Sequence, residues 1–252
     1  MHSNQAQQEH KQHQHKQTMP QLRTVTKLYT VSALFMLLLL APSGDWTWPA
    51  AWFLFVAPLV LVSVPCLLYL RAYNPDLITE RQKFLRNEGT ANFEWYLVPA
   101  AIGSLPLRLL AAGWQHRWQL QQPGWTPTPF LSTWMQIAAA AVVILALVFQ
   151  SWSMCANKYF SSVVRIQTDR GHKVCSQGPY AFVRHPGYVG FGLQGVAESA
   201  LLQSSWGMML ALWLVAVLVV RTVYEDSFLQ SSLPGYAAYT KRVKYRWVPL
   251  LW

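Results

Sequence analysis

From Lys27 onward the chain alternates long apolar runs with short polar pieces, and a helix needs about 20 predominantly apolar residues to cross a hydrocarbon core. Six runs are candidates: Leu28 to Ala41, about Pro49 to Leu70, about Trp95 to Ala112, Ser132 to Met154, about Val189 to Leu202, and about Trp206 to Val223. The first is short and needs residues on either side to span; the fourth is the clearest. Pro99 and Pro106 are expected to kink the third, which a membrane helix tolerates where its neighbours satisfy the freed carbonyls. Only Gln203-Ser204-Ser205 separates the fifth run from the sixth, so these two are expected to form a tight helical hairpin. The pattern predicts an all-α, multi-pass transmembrane helical bundle of about six spans, with cytoplasmic polar loops and a C-terminal amphipathic helix.

Residues 1–20 contain almost no apolar residues and many Gln, and read as a disordered polar head. His2, His10, His13 and His15 could collect a metal adventitiously, but a solvated tail accounts for them, and no metal is expected. The head does not read as a signal peptide, because its polar region is long and Ala41-Pro42-Ser43 is a poor cleavage site before further spans. Residues 21–154 then form the N-terminal transmembrane part, with an interfacial helix over 74–88, and residues 155–252 form the region expected to carry the chemistry.

Composition excludes an ordinary soluble enzyme: 53% of the 252 residues are hydrophobic and 12% are charged, against roughly 25% charged in a soluble domain. The 13 Trp, 11 Tyr and 11 Phe suit a bundle whose outer surface meets lipid. A net charge of +10 is compatible with nucleic acid, anionic lipid or membrane topology, and position decides between them. All of the 20 Lys and Arg except Arg108 and Arg117 fall in the segments that alternate to one side: the head to Lys27, Arg71–Arg86, Lys158–Arg184, and Arg221 onward. Six crossings with both termini cytoplasmic follow. No nucleic-acid motif accompanies the charge, so the expected partner is the bilayer and not a nucleic acid. Cys66, Cys155 and Cys175 are odd in number and widely spaced, giving neither a disulfide framework nor zinc spacing.

Function is expected in the cytoplasmic pieces 72–91, 155–188 and 224–252. In the first, Asn74-Pro75 makes a turn that leads into a surface helix held at the interface by Arg and Lys. In the second, two histidines and the turns Gly178-Pro179 and Pro186-Gly187 stand against the start of a membrane helix, a backbone specified tightly enough to make a pocket. In the third, Arg221 and Glu225 are spaced i,i+4 and share a helix face, either as a helix salt bridge or as two groups directed at one volume. Arg184 reads as an interfacial anchor, and His185, beside a proline at a helix start, as a structural donor or a functional group. Glu198 is the one carboxylate inside the predicted spans. It lies close enough to Gln203-Ser204-Ser205 to reach polar surroundings and is left outside the site.

Gly178-Pro179-Tyr180 followed by Arg184-His185-Pro186-Gly187-Tyr188 is similar to the signature of the isoprenylcysteine carboxyl methyltransferase family, whose bacterial members are related to phospholipid methyltransferases. Arg221, Glu225, Asp226, Leu233-Pro234-Gly235-Tyr236, Tyr239, Arg242-Val243 and Trp247-Val248-Pro249 follow its C-terminal pattern in order, so the resemblance covers residues 155–252. Asn74-Pro75 to Glu80-Arg81 resembles a segment of the bacterial branch, and Ala112-Gly113 to His116-Arg117-Trp118 resembles another, with Gln115 where the family pattern has an acidic residue. The resemblance implies an integral membrane enzyme whose cofactor, S-adenosyl-L-methionine, is held on the cytoplasmic side by the loop before the penultimate span and by the C-terminal segment. By position, Gln167, His172, Lys173, Val174, Cys175, Tyr180, His185, Pro186, Gly187, Tyr188 and Glu225 resemble the family's cofactor contacts, and Arg221 its substrate-side arginine. The interval from Gln167 to His172 is shorter than in eukaryotic members.

Such a cofactor presents a sulfonium, an amino-acid zwitterion and an adenosine. Glu225 can accept from a ribose or amine, Tyr180 and Tyr188 can offer faces to the cation, and His172 and His185 can complete the polar contacts. Methyl transfer is an in-line displacement, and a carboxylate nucleophile needs no general base, only alignment and desolvation. Arg221 would hold such a carboxylate bidentately; an amine acceptor would need a base, for which His185 is the candidate. Arg221, Glu225 and His185 are thus the catalytic candidates. The acceptor is a prenylcysteine carboxylate, a phospholipid amine or another lipophilic molecule. A sterol-type NADPH reductase is disfavoured by the short chain and six spans, and a small transporter or scaffold by the scarcity of polar residues within the spans.

Overall fold

The computed structural model describes residues 26–82, 89–122 and 131–252. The polar head expected at 1–20 and the end of the interfacial helix expected over 74–88 lie outside the described residues. In chain order the helices are α1 (Thr26–Ser43), α2 (Pro49–Tyr73), α3 (Pro75–Gln82), α4 (Glu94–Leu120), α5 (Thr133–Ala156), α6 (Pro186–Leu201), α7 (Ser205–Ser232) and α8 (Tyr236–Arg242). No strand forms among the described residues; Thr90 and Arg165 make an isolated antiparallel bridge. The protein is an all-α multi-pass membrane bundle.

Among the described residues, five helices, α1, α2, α4, α5 and α7, are long and apolar enough to cross a membrane. The sixth expected span is the exception, because α6 has only 16 residues, which at helical rise is ~24 Å against a hydrocarbon core of ~30 Å. Its limits are set locally. Pro186 occupies the first turn behind His185, whose backbone (φ −125°, ψ 57°) is not helical, and Gln203 at φ 56° ends the run. The hairpin with α7 does form: the Ser204 hydroxyl caps α7 by accepting from the Gly207 N–H at 2.9 Å. Gln115 holds this turn from α4, its side-chain oxygen accepting from Ser204 Oγ and the Trp206 N–H, both at 2.9 Å.

The prolines act as their missing N–H groups require. Between Pro58 and Pro65, α2 widens into a π turn at Leu59–Ser63, which absorbs the lost ladder bonds. Asn74 leaves helical geometry in front of Pro75 and ends α2. In contrast, α4 runs through Pro99 and Pro106 without a break and reaches Leu120. At 28 residues, or ~42 Å, α7 is longer than a span needs, and its last turns carry Arg221, Glu225 and Asp226 beyond the apolar stretch.

Helix α6 packs chiefly on α5 and α7, and α4 packs on α7. The main core joins Leu39, Leu54, Leu109, Val143 and Leu201 from five helices, while Leu61, Leu145 and Met209 among others present apolar side chains outward, as a lipid-facing surface requires. Small residues permit close crossings. A Cβ on Gly190 would lie 2.4 Å from Gln150 Cγ, and one on Gly113 would lie 2.3 Å from the Leu39 carbonyl oxygen, which belongs to the backbone of α1 and cannot rotate away. Gly113→Ala is therefore expected to force α1 from α4 and cost about 1–3 kcal/mol, read as a lowered unfolding midpoint in detergent. An unchanged midpoint would show that this crossing tolerates a methyl group.

A second layer caps the bundle. Leu229, Leu233, Tyr236, Tyr239 and Val243 form a separate buried cluster against Ile166 and Val174 of the loop 157–185. Helix α8 is the short C-terminal helix, with Tyr236 and Tyr239 buried on one face and Lys241 and Arg242 exposed. Helix α3 is more than a surface helix: Leu77 and Glu80 are buried, and Arg165 Nε donates to Glu80 Oε1 at 2.8 Å, tying α3 to the loop.

Candidate functional site

The loop 157–185 closes over the ends of α4 and α7, and beneath it lies a cavity of ≈ 390 Å³. At its outer end are Gln167, His172, Tyr180, Glu225, Tyr236 and Tyr239; farther in, between the helices, are Ile102, Leu105, Phe191, Leu214 and Leu218. A polar chamber thus continues into a largely apolar one, which Ser104, Arg108 and Gln194 also line.

Asp226 organises the outer wall. Its carboxylate, 1% exposed, accepts from Arg184 Nε at 3.0 Å and Nη2 at 2.6 Å, from His185 Nε2 at 3.1 Å, from the Tyr236 hydroxyl at 2.8 Å and from Arg246 Nε at 2.9 Å. Arg184 is therefore not a snorkelling anchor. It is buried, with Nη1 also bonded to the carbonyls of Val243 and Lys244, and although burial opposes its charge, the Asp226 hydrogen bonds win and raise its pKa. The C-terminal segment is bound to the same motif through its backbone: the Arg184 N–H donates to the Tyr245 carbonyl at 3.0 Å and the His185 N–H to that of Arg246 at 2.9 Å.

Arg221 and Glu225 share a face of α7 but do not pair with each other. Arg221 Nε donates to Glu94 Oε1 at 2.9 Å and Nη2 to Glu94 Oε2, with a further bond from Nη2 to the Ser162 carbonyl at 3.0 Å. Glu94 is fully buried and also accepts the Val164 N–H at 3.0 Å, so one carboxylate joins α4, α7 and the loop. The guanidinium lies 5.2 Å from the centre of the Tyr188 ring. Glu225 instead accepts the Tyr188 hydroxyl, and its Oε2 stands 3.9 Å from His185 Nδ1. The His185 ring is sealed between Asp226 and Glu225 and stacks on Tyr188, with 5.7 Å between centroids at 4°.

The loop is shaped by its own contacts. Gln167, 1% exposed, donates to the Tyr159 carbonyl at 2.7 Å and accepts from Arg170 Nη1 at 2.6 Å, and its N–H donates to His172 Nδ1 at 3.3 Å. Burial, helped by the nearby charges of Arg165 and Arg170, pushes the His172 pKa down to about 4, so the ring is a neutral acceptor at physiological pH. Burial also raises the Cys175 thiol and the Tyr180 hydroxyl, keeping both protonated. His172 supports a pH prediction. The folded protein resists a proton that the unfolded chain takes up near 6.5, so this contribution to stability is complete above about 6.5 and is lost as pH falls toward 4. The unfolding midpoint should fall less steeply between pH 6.5 and 4 in His172→Gln than in the parent, and a parallel fall would remove His172 from the account.

Of the residues singled out in the sequence, Gln167, His172, Val174, Cys175, Tyr180, His185, Gly187, Tyr188, Arg221 and Glu225 line the cavity. Lys173 is exposed, and Pro186 is buried as the first residue of α6; neither lines it. Three features went unread: Glu94 as the partner of Arg221, Asp226 as the hub, and the Arg165–Glu80 tie. A carboxylate at the very start of an apolar run was the available signal for Glu94. Glu198 also differs from expectation, since its partner is Arg108 of α4 at 3.0 Å and not the turn at Gln203–Ser205. A buried charge selects the opposite charge across the helix interface over a distant polar turn.

Residues 138–231, from within α5 to the last turn of α7, match the model of the isoprenylcysteine carboxyl methyltransferase (ICMT) family. Over 111 residues the chain is 29% identical to the "Probable protein-S-isoprenylcysteine O-methyltransferase" of Oryza sativa subsp. indica, covering 42% of this chain and 57% of that protein, with the same figures for subsp. japonica. It is 30% identical over 117 residues to the "Protein-S-isoprenylcysteine O-methyltransferase" of Schizosaccharomyces pombe, covering 45% and 50%. The chain thus spans about half the length of these relatives. The matched stretch contains the loop, the His185 motif, Arg221 and Glu225, and over it the chain is similar to the isoprenylcysteine carboxyl methyltransferase family.

Proposed function

We propose that the protein is an integral membrane methyltransferase that moves a methyl group from S-adenosyl-L-methionine to the carboxylate of a lipophilic, prenylcysteine-like acceptor. The observation that carries this reading is the continuity of one cavity, polar under the loop and largely apolar between the spans, with Arg221 and Glu225 on its wall. The polar cofactor would enter from the cytoplasm and the acceptor from the bilayer, and the bias of Lys and Arg supports a cytoplasmic site and cytoplasmic termini.

The donor set fits the cofactor. Glu225 offers a carboxylate of which one oxygen already engages Tyr188, and His172 supplies a neutral polar ring on the cavity wall. When bound, the cofactor supplies a methyl group on a sulfonium. The protein's part is alignment and exclusion of water. Arg221 spends Nε and Nη2 on Glu94, so the edge that would grip an acceptor carboxylate side-on is occupied, and Nη1, which among the described residues has no hydrogen-bond partner, is the donor left for it. Tyr188 links the two halves, with its hydroxyl on Glu225 and its ring under Arg221. His185, held by Asp226, keeps Tyr188 in place by stacking and acts as a positioning residue, because a carboxylate nucleophile needs no base. The apolar wall lowers the local dielectric and strengthens the attraction between acceptor and sulfonium.

Calorimetric binding to the detergent-purified protein tests the reading. S-adenosyl-L-methionine should bind saturably, Glu225→Ala should weaken it tenfold or more, about 1.4 kcal/mol, and N-acetyl-S-farnesylcysteine should become a methyl ester. Folded protein that binds NADPH alone, or neither cofactor, overturns it.

A further inference from the structure

Among the described residues five arginines line the cavity, and four of them have carboxylate partners: Arg108 has Glu198, Arg165 has Glu80 and Asp169, Arg184 has Asp226, and Arg221 has Glu94. The fifth is Arg81, in the last turn of α3. Among the described residues it makes no hydrogen bond and no ion pair, and the adjacent Glu80 is turned to Arg165. What holds Arg81 is the ring of Phe160, whose centre lies 5.1 Å from the guanidinium carbon. That ring in turn lies on the first turn of α6, where a Cβ on Gly187 would come within 2.8 Å of it. The next residue is Tyr188, whose ring centre is 5.2 Å from the Arg221 guanidinium.

The Arg81 guanidinium is not sealed. Among the described residues the fully buried side-chain nitrogens and oxygens that lack a partner are Arg108 Nε and Ser162 Oγ. The unpaired nitrogens of Arg81, like Nη1 of Arg221, therefore stay accessible on the wall of the cavity. Burial lowers the Arg81 pKa and the charge of Arg221 acts in the same direction, whereas at Arg165 and Arg184 burial is outweighed by carboxylate partners and the pKa rises. Two guanidinium groups thus act on one volume, and only one of them is neutralised.

We propose that Arg81 is the second arm of the site for the acceptor's carboxylate, which is held between the open face of Arg81 and Nη1 of Arg221. Giving the carboxylate to the acceptor rests on the methyltransferase reading; a site for an anionic oxygen group follows from the unpaired charge itself. Arg221 alone offers the ligand a single donor, because Glu94 occupies its side-on edge. One donor leaves a carboxylate free to swing, whereas a planar fork that meets both oxygens fixes its direction, and Arg81 has that fork free. Charge leads to the same place. Glu94 already neutralises Arg221, so a carboxylate gripped by Arg221 alone would enter the bundle uncompensated, and Arg81 without a ligand is uncompensated in the opposite sense. Arg81 lies outside the stretch 138–231 that matches the family model, so the reading of that stretch does not reach it.

The test titrates N-acetyl-S-farnesylcysteine and its uncharged carboxamide calorimetrically into the detergent-purified full chain and into Arg81→Gln. The parent protein is expected to bind the acid at least tenfold more tightly than the amide, about 1.4 kcal/mol. In Arg81→Gln the acid should weaken at least tenfold, while the amide and S-adenosyl-L-methionine keep their parent affinities within about twofold. The amide is the internal control for an intact cavity. An acid that binds Arg81→Gln as it binds the parent overturns the inference, as does equal affinity for acid and amide in the parent, failure of the parent to bind the acid, or parallel loss of acid and amide in the variant. Weakened S-adenosyl-L-methionine with the acid unchanged also overturns it and gives Arg81 to the cofactor's carboxylate. Methyl transfer is measured separately. The expected binding pattern without an ester leaves the carboxylate site standing and sinks the methyltransferase reading; an ester formed equally fast by parent and Arg81→Gln does the reverse.

Discussion

Asp226→Asn is expected to destabilise the protein by about 3–5 kcal/mol, the scale for removing one charge from a buried, paired group. The substitution preserves shape but withdraws the charge that Arg184, His185 and Arg246 converge upon. Arg184 is then left buried with carbonyl partners only, and the Tyr236 hydroxyl loses its strongest acceptor. Because the C-terminal segment reaches the cavity wall through these groups, the expected readouts are a large drop in the unfolding midpoint and proteolytic sensitivity within residues 233–252. Arg246→Gln is the internal control. Its side chain is 31% exposed, so solvent screens the pair and the loss should be about 1 kcal/mol or less. A parent-like midpoint for Asp226→Asn would show that the hub is dispensable.

Glu94→Ala is expected to lower methyl transfer under the proposed function by about 10²-fold or more, the scale for a small misplacement of a reacting partner. Glu94 does not line the cavity; it acts through Arg221, whose Nε and Nη2 it holds, and through the Val164 N–H. Without it the guanidinium is a buried charge lacking its counter-ion, and the cost in stability should also be about 3–5 kcal/mol. Arg221→Lys isolates the geometric part, since an ammonium keeps the charge but loses the planar fork that meets both Glu94 oxygens. A positioning role predicts that kcat for a prenylcysteine falls more than S-adenosyl-L-methionine affinity does. Equal losses in both, or parent-like kcat in Glu94→Ala, would remove Glu94 from the mechanism.

The two halves of the site differed in how far they could be read from residues alone. The motif residues around Gly178–Tyr180 and Arg184–Tyr188 are close in sequence and stand at the start of a helix, so most of those singled out line one cavity. Lys173 and Pro186 do not, because a side chain's direction depends on the local backbone and not on membership of a motif. The i,i+4 rule predicted a shared face for Arg221 and Glu225, which exists, but it could not reveal that each has a better partner elsewhere, Glu94 for one and Tyr188 for the other.

What the sequence alone determined is the class of fold and most of its punctuation. Within lipid every backbone group must be satisfied inside its own segment, so an apolar run of sufficient length has to be a helix, and Pro, Gly and Ser at the boundaries mark where each helix starts and stops. The tertiary structure decided which charges meet. Glu94 and Arg221 lie on α4 and α7, Glu198 and Arg108 on α6 and α4, and Asp226 collects partners from both sides of α7. In a low-dielectric interior a charge takes the best-placed opposite charge whatever its distance along the chain, and that placement is set by helix packing.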